Sequence, residues 1–176
     1  ESDTLATMIV WDIRLPRIIM ATITGFALAT AGSVFQACFR NPLVEPYILG
    51  VSGGAAFGAA LAIALPAWFF SAQLSAFFFG TVAVVLAYLL ARVKGQTSVV
   101  SLILAGVIIG ALFTALVSVL KYLSDDAALR EIVFWIMGGF YHSSWDEIQV
   151  ALPLVMVAFL IIWALAWKLN VLSMGD

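Results

Sequence analysis

Between two arginines the chain reads IIMATITGFALATAGSVFQACF, residues 18–39, without one charged side chain. Arg17 precedes this stretch and Arg40 follows it. As a helix rising about 1.5 Å per residue it would reach about 33 Å, the depth of a bilayer's hydrocarbon core. Asn41-Pro42 then breaks the helix and turns the chain. Upstream, Arg14-Leu15-Pro16-Arg17 places a proline near a helix start, where its missing N–H would be unpaired in any case. Thr4 to Trp11 is apolar but too short to span, and reads as an interfacial strand or a helix remnant.

The same pattern repeats downstream. Further spans are expected over 47–65, closed by Pro66, and over 71–91, stopped by Arg92-Val93-Lys94-Gly95. Two more are expected over 99–120, bordered by Lys121-Tyr122, and over 148–167, followed by Lys168. Pro153 falls in the first turns of the last span, where it is tolerated or gives a small kink. Ser124-Asp125-Asp126 offers capping oxygens for a helix start. Leu129, Ile132, Val133 and Ile136 then recur at helical spacing until Gly138-Gly139. This predicts an amphipathic interfacial helix over 126–137, with a re-entrant segment as the alternative.

Composition agrees with lipid as the solvent. Of 176 residues, 64% are hydrophobic and 10% charged, against roughly a quarter charged in soluble domains. Mean hydropathy is +1.13. Too few polar groups are present to cover a soluble fold of this size. The expected fold is therefore all-α: a polytopic transmembrane helical bundle of about five spans plus the short interfacial helix. Net charge is −2 and no basic patch exists, which argues against a nucleic-acid partner. The single Cys38 excludes an internal disulfide and a cysteine metal cluster. No secretory signal pattern opens the chain. Both ends, Glu1-Ser2-Asp3 and Met174-Gly175-Asp176, read as cuts through a longer protein.

Five spans put the termini on opposite sides, but the positive-inside count ties. Arg40, Arg92, Lys94 and Lys168 fall on one side; Arg14, Arg17, Lys121 and Arg130 fall on the other. Charge alone leaves the orientation open.

Helices in lipid associate through close backbone approach, which favours small residues on contacting ridges. The second span carries Gly50, Gly54, Gly58 and Ala62 at steps of four. The fourth carries Gly106, Gly110, Thr114 and Ser118. The first has Ala21, Gly25 and Ala29, and the third has Ala76 and Gly80. Both four-membered ridges are expected to make tight helix contacts. The bulkier fifth span is placed nearer the lipid.

No span carries an interior charge, which disfavours a proton-coupled antiporter, a gated cation channel and an intramembrane protease. Most of Thr22, Thr24, Thr30, Ser33, Ser52, Thr81, Thr114 and Ser118 are expected to bond to their own or a neighbouring helix; Gln36, near a helix end, is the least comfortable. His142 reads as a solvated loop residue and Cys38 as a packing residue. Trp135, Tyr141 and Trp145 read as interfacial anchors. Gly50-Val51-Ser52-Gly53-Gly54 lacks the Lys and preceding strand of a phosphate loop, so ATP would bind elsewhere. No cofactor, metal or catalytic residue is expected. Arg14 and Arg17 suit either snorkelling to headgroups or forked hydrogen bonding to an acidic partner.

An ordered series of short motifs runs through the chain. It comprises Arg14-Leu15-Pro16-Arg17, Gly25, Ala27-Leu28-Ala29, Gln36, Arg40-Asn41-Pro42-Leu43, Leu49-Gly50-Val51 and Gly53-Gly54-Ala55. It continues through Leu104-Ala105-Gly106, Trp135-Ile136-Met137-Gly138-Gly139-Phe140 and Leu169-Asn170-Val171-Leu172. The series resembles the permease subunits of FecCD/BtuC-type ABC importers, which carry ferric siderophores, haem or vitamin B12. The resemblance implies a ten-span protein of which this chain matches spans two to six. It also implies a plasma-membrane location and inward transport by alternating access. The implied partners are a second permease copy, a cytoplasmic ABC ATPase dimer and an extracytoplasmic substrate-binding protein. It places Arg14, Arg17 and 121–147 outside, and Asn41-Pro42 and Arg92-Lys94 in the cytoplasm. The chain would stop at Gly175-Asp176, where a Gly-Glu-like element opens the family's coupling loop. Arg14 and Arg17 become docking residues for the binding protein, and Gly106, Gly110, Thr114 and Ser118 path-lining or packing candidates. The Arg40-Asn41-Pro42 turn becomes structural. The rival readings are a non-ABC secondary transporter, which would need sites at broken helices, and a non-transporting membrane scaffold.

Overall fold

The computed structural model describes residues 2–65, 67–92, 98–141 and 143–174. The expected stops at Pro66 and Val93-Lys94-Gly95, the loop His142 and the terminal Gly175-Asp176 lie outside the described residues. Every element among the described residues is helical. In order they are α1 (Ser2–Met8), a π-helical turn (Ile9–Arg14), α2 (Leu15–Phe39), α3 (Val51–Ala64) and α4 (Ala72–Ala91). There follow α5 (Val99–Leu123), α6 (Asp126–Met137), α7 (Trp145–Ala164) and α8 (Ala166–Met174). The chain divides into two compact units, Glu1–Glu45 with Gly139–Asp176, and Pro46–Gly138.

In the first unit, Thr4–Phe39 forms one helical run of 36 residues. The apolar start at Thr4 to Trp11 is thus helix, not strand. Pro16 explains the π-helical turn before it. Its ring would clash with the carbonyl four residues back and it cannot donate, so the ladder widens. Leu15 N–H accordingly reaches Val10 O, five residues back. α2 packs on α7 and α8, with the rings of Phe26 and Phe159 5.0 Å apart. α7 starts under a Ser144 cap and carries Asp146 and Glu147 in its first turn, where the helix dipole favours negative charge. It accommodates Pro153 and ends at Ala164. The span expected over 148–167 is therefore displaced towards the N-terminus. Leu165, at φ −92° and ψ 0°, separates α7 from α8.

In the second unit, α3, α4 and α5 pack on one another and α6 packs on α3. The expected span over 47–65 is corrected here: α3 is helical only over Val51–Ala64, 14 residues. That is about 21 Å, short of a bilayer core of about 30 Å. The missing turn has a physical cause. Gly50 adopts φ +76° and its N–H bonds Tyr47 O at 2.9 Å, so Tyr47–Gly50 is a tight turn. Leu49 and Gly50 are buried, as irregular backbone at membrane depth must be. The other helices start at polar caps: Ser71 on α4, Ser98 on α5, and Asp125 on α6, whose carboxylate accepts from Ala127 and Ala128 N–H. α5 runs to Leu123, three residues beyond the expected border at 120.

The core of this unit is small-residue packing. Ala83, Ala87 and Ala91 of α4 meet Ala105, Ile109 and Phe113 of α5, with Phe57 and Phe79 alongside. Phe57 meets Phe79 edge-on at 5.0 Å. Buried Ser75 accepts a hydrogen bond from the Trp68 indole at 2.8 Å. Outside this core the helices present large apolar side chains, among them Phe77, Phe78, Leu104, Val107 and Ile108. Such a surface is stable against lipid or further protein.

The glycines fall into two groups. A methyl at Gly54 or Gly58 would collide with the backbone carbonyl of Phe79 or Ser75, and at Gly106 with that of Ile48. A methyl at Gly25 meets nothing within 4 Å, and at Gly80 only ordinary contacts from 3.5 Å. In the complete protein, Gly54→Ala, Gly58→Ala and Gly106→Ala should each destabilise by about 1–3 kcal/mol through overpacking. Gly25→Ala and Gly80→Ala should be neutral or slightly stabilising. Thermal unfolding in detergent separates the two groups, and equal midpoints across all five would refute the packing.

Candidate functional site

The Arg14–Arg17 stretch lies in the first unit. Arg14 ends the π-helical turn and Arg17 stands in the first turn of α2, with Pro16 buried between them. Both arginines are exposed. The Arg17 Nη2 donates to the Tyr141 carbonyl at 3.2 Å. Nearby, the Trp145 indole N–H donates to the Trp11 carbonyl at 3.2 Å, and the two rings lie 5.5 Å apart. Trp145 thus has a specific partner beyond a generic anchoring role. Sequence reading missed this contact, whose one signal was an aromatic on either side of the loop-helix borders.

The Arg40-Asn41-Pro42 turn closes α2 with its own hydrogen bonds. Arg40 takes the left-handed conformation at φ 50°, and Asn41 N–H returns to Gln36 O at 3.2 Å. Asn41 Oδ1 accepts from Leu43 N–H at 3.0 Å. Gln36 Nε2 donates to Pro42 O at 3.0 Å, which answers why an amide sits at this helix end.

The two four-membered ridges do not act as single faces. Gly50 lies before α3, not within it, and approaches the backbone of Gly106 and Gly110 on α5. Gly54 and Gly58 face α4 instead, and Ala62 is half-buried. Gly53, which the spacing did not single out, also meets Gly110. On α5, Gly106 is buried and Gly110 half-buried, whereas Thr114 and Ser118 are exposed. Their hydroxyls donate within the helix, Thr114 to Gly110 O at 2.9 Å and Ser118 to Thr114 O at 3.1 Å. Thr22, Thr30, Ser33 and Thr81 do likewise. Among the described residues, no group of three or more His, Cys, Asp or Glu side chains could hold a metal ion. Cys38 is a free, exposed thiol.

Among the described residues, four helices are long and apolar enough to cross a membrane, and within the 46–138 unit glycine contacts tie the 48–64 stretch to α4 and α5; together they define a multi-pass membrane helical fold. The FecCD transport family profile matches residues 1–176, and the chain belongs to that family. It is 40% identical over its full length to the molybdate import system permease protein MolB of Haemophilus influenzae, covering 52% of that protein. It is 38% identical over 97% of its length to the cobalamin import system permease protein BtuC of Halobacterium salinarum, covering 46% of it. A solved inward-facing structure, described as a metal-chelate type ABC transporter, superposes with a TM-score of 0.88 at 39% identity, over 99% of this chain and 56% of that one. The chain spans about half the length of the curated relatives it matches.

The turn after α2 yields a direct test. Asn41→Ala and Gln36→Leu each remove one side-chain bond to the backbone and should each lower stability by about 1 kcal/mol. Thermal unfolding of the complete protein measures this, and unchanged midpoints would remove the turn's structural role.

Proposed function

We propose that the complete protein is the permease subunit of a binding-protein-dependent ABC importer in the plasma membrane. The observation that carries this reading is the structural likeness over nearly the whole chain to a metal-chelate type ABC transporter. In this reading a second permease copy completes the pathway, and a separate cytoplasmic ATPase dimer drives inward transport by alternating access. The permease itself performs no covalent chemistry. ATP binding on the partner shifts an equilibrium between outward-open and inward-open arrangements, which requires different contacts in the two states.

The residues divide the work. Arg14 and Arg17 meet acidic groups on the extracytoplasmic binding protein. Thr114 and Ser118 line the path, while Gly106 and Gly110 hold α5 against its neighbours. Arg40-Asn41-Pro42 forms a rigid turn on the cytoplasmic side. The cargo is an iron chelate (siderophore or haem) or cobalamin. The similarity to a molybdate permease supports a second reading, in which the cargo is a small metal oxyanion.

Reconstituting the complete permease with its ATPase and binding protein in vesicles tests the class. ATP-dependent uptake should vanish without the permease; unchanged uptake would overturn the assignment. Competition among labelled cobalamin, ferric siderophore, haem and molybdate then selects the cargo. Replacing Arg14 and Arg17 together with Glu should weaken capture of the loaded binding protein by about 10-fold or more at low salt. Membrane insertion should be preserved. Equal capture by wild type and the double variant would remove the docking role.

A further inference from the structure

The two arginines of Arg14-Leu15-Pro16-Arg17 have different surroundings. No side-chain hydrogen bond or ion pair among the described residues engages the Arg14 guanidinium. Arg17 is already committed to the Tyr141 carbonyl at 3.2 Å. A second tie joins the same two segments, from the Trp145 indole N–H to the Trp11 carbonyl at 3.2 Å.

The acceptor of that second tie is an orphan created by the sequence. In the π-helical turn each carbonyl waits for the N–H five residues on. Val10 receives Leu15 N–H in this way. Trp11 would receive residue 16, but residue 16 is proline and has no N–H. The Trp145 indole meets that carbonyl and supplies the partner that the backbone ladder cannot. The ring contact between Trp11 and Trp145, tilted at 37°, adds packing to the same tie. Gly138 and Gly139 precede Tyr141 at φ +71° and +141°, conformations that glycine enters and leaves freely.

We infer that Pro16, Trp145 and Arg17 form a two-point latch that holds Tyr141 and the start of α7 against the start of α2. Arg17 serves this latch as a positioning residue as well as the docking surface, and Arg14 serves docking alone. The division of roles between the arginines rests on the docking reading above; the latch does not.

Amide hydrogen exchange on the complete permease in lipid nanodiscs, without binding protein, reads the latch directly. The relevant amides are Ser143, bonded to Phe140 O, and Glu147 and Ile148, bonded to Ser144. Arg17→Ala and Trp145→Phe should each speed their exchange about two- to tenfold, the effect of one lost hydrogen bond on local opening. Arg17→Lys keeps a donor and should restore most of the protection. Arg14→Ala should leave exchange unchanged while weakening capture of the binding protein. With Pro16→Ala, which returns an N–H to the turn, Trp145→Phe should lose its effect. Wild-type exchange in both Arg17→Ala and Trp145→Phe would overturn the latch. Wild-type capture by Arg14→Ala would overturn the docking role and leave the latch standing or falling on exchange alone.

Discussion

In the 46–138 unit, main chain touches main chain with no side chain between. Ile48 and Leu49 rest on Gly106, Gly50 and Gly53 on Gly110, Gly54 on Phe79, and Gly58 on Ser75. Lipid removes the hydrophobic drive for helix association, so stability comes from dispersion and weak C–H···O contacts at short range. Those contacts require the absence of a Cβ. Much else follows. α3 can be only 14 residues long because the turn before it is covered by α5. α5 is fixed in rotation by Gly106 and Gly110, and that rotation leaves Thr114 and Ser118 exposed. The residues read as pathway are thus placed by residues that are not.

The existence of the long helices was legible from charge-free stretches bounded by Arg, Lys and Pro, because a bilayer leaves the chain little other choice; α8 was not foreseen. The 126–137 helix was legible at residue level, because Asp125 caps it and Gly138 stops it. The second helix was misjudged by about one turn. Hydropathy registers Tyr47 to Gly50 as apolar but is blind to backbone handedness, and the positive φ at Gly50 carried the information. The glycine ridge was half legible. Steps of four marked Gly54 and Gly58, yet Gly50 stands outside the helix and Gly53 lies off the stripe. Spacing on an ideal helix cannot say which of two neighbours each residue meets. The Arg17–Tyr141 and Trp145–Trp11 bonds were not legible, since each joins segments more than a hundred residues apart. Arg17 was singled out as a partner for headgroups or for an acidic protein, whereas its observed bond goes to a backbone carbonyl of its own chain.

If Thr114 and Ser118 line the path, as proposed above, their hydroxyls bear on how that wall would treat cargo. Thr114 and Ser118 each spend their one O–H on a carbonyl of their own helix, leaving oxygen lone pairs outward. A wall of acceptors gives an anionic chelate or oxyanion no donor to hold. It also removes the penalty that a bare hydrocarbon wall would impose on water accompanying the cargo. In the importer reading, that combination suits passage. Affinity for cargo then belongs to the binding protein, which Arg14 would help to seat, while a pathway that bound its cargo tightly would have to repay that binding free energy before releasing it. Substituting a donor such as Asn at Thr114 would therefore convert a weakly interacting wall into a resting place. It should slow transport while increasing cargo retained on the permease. A rate unchanged by that substitution, with no retained cargo, would place Thr114 outside the pathway and return it to helix packing.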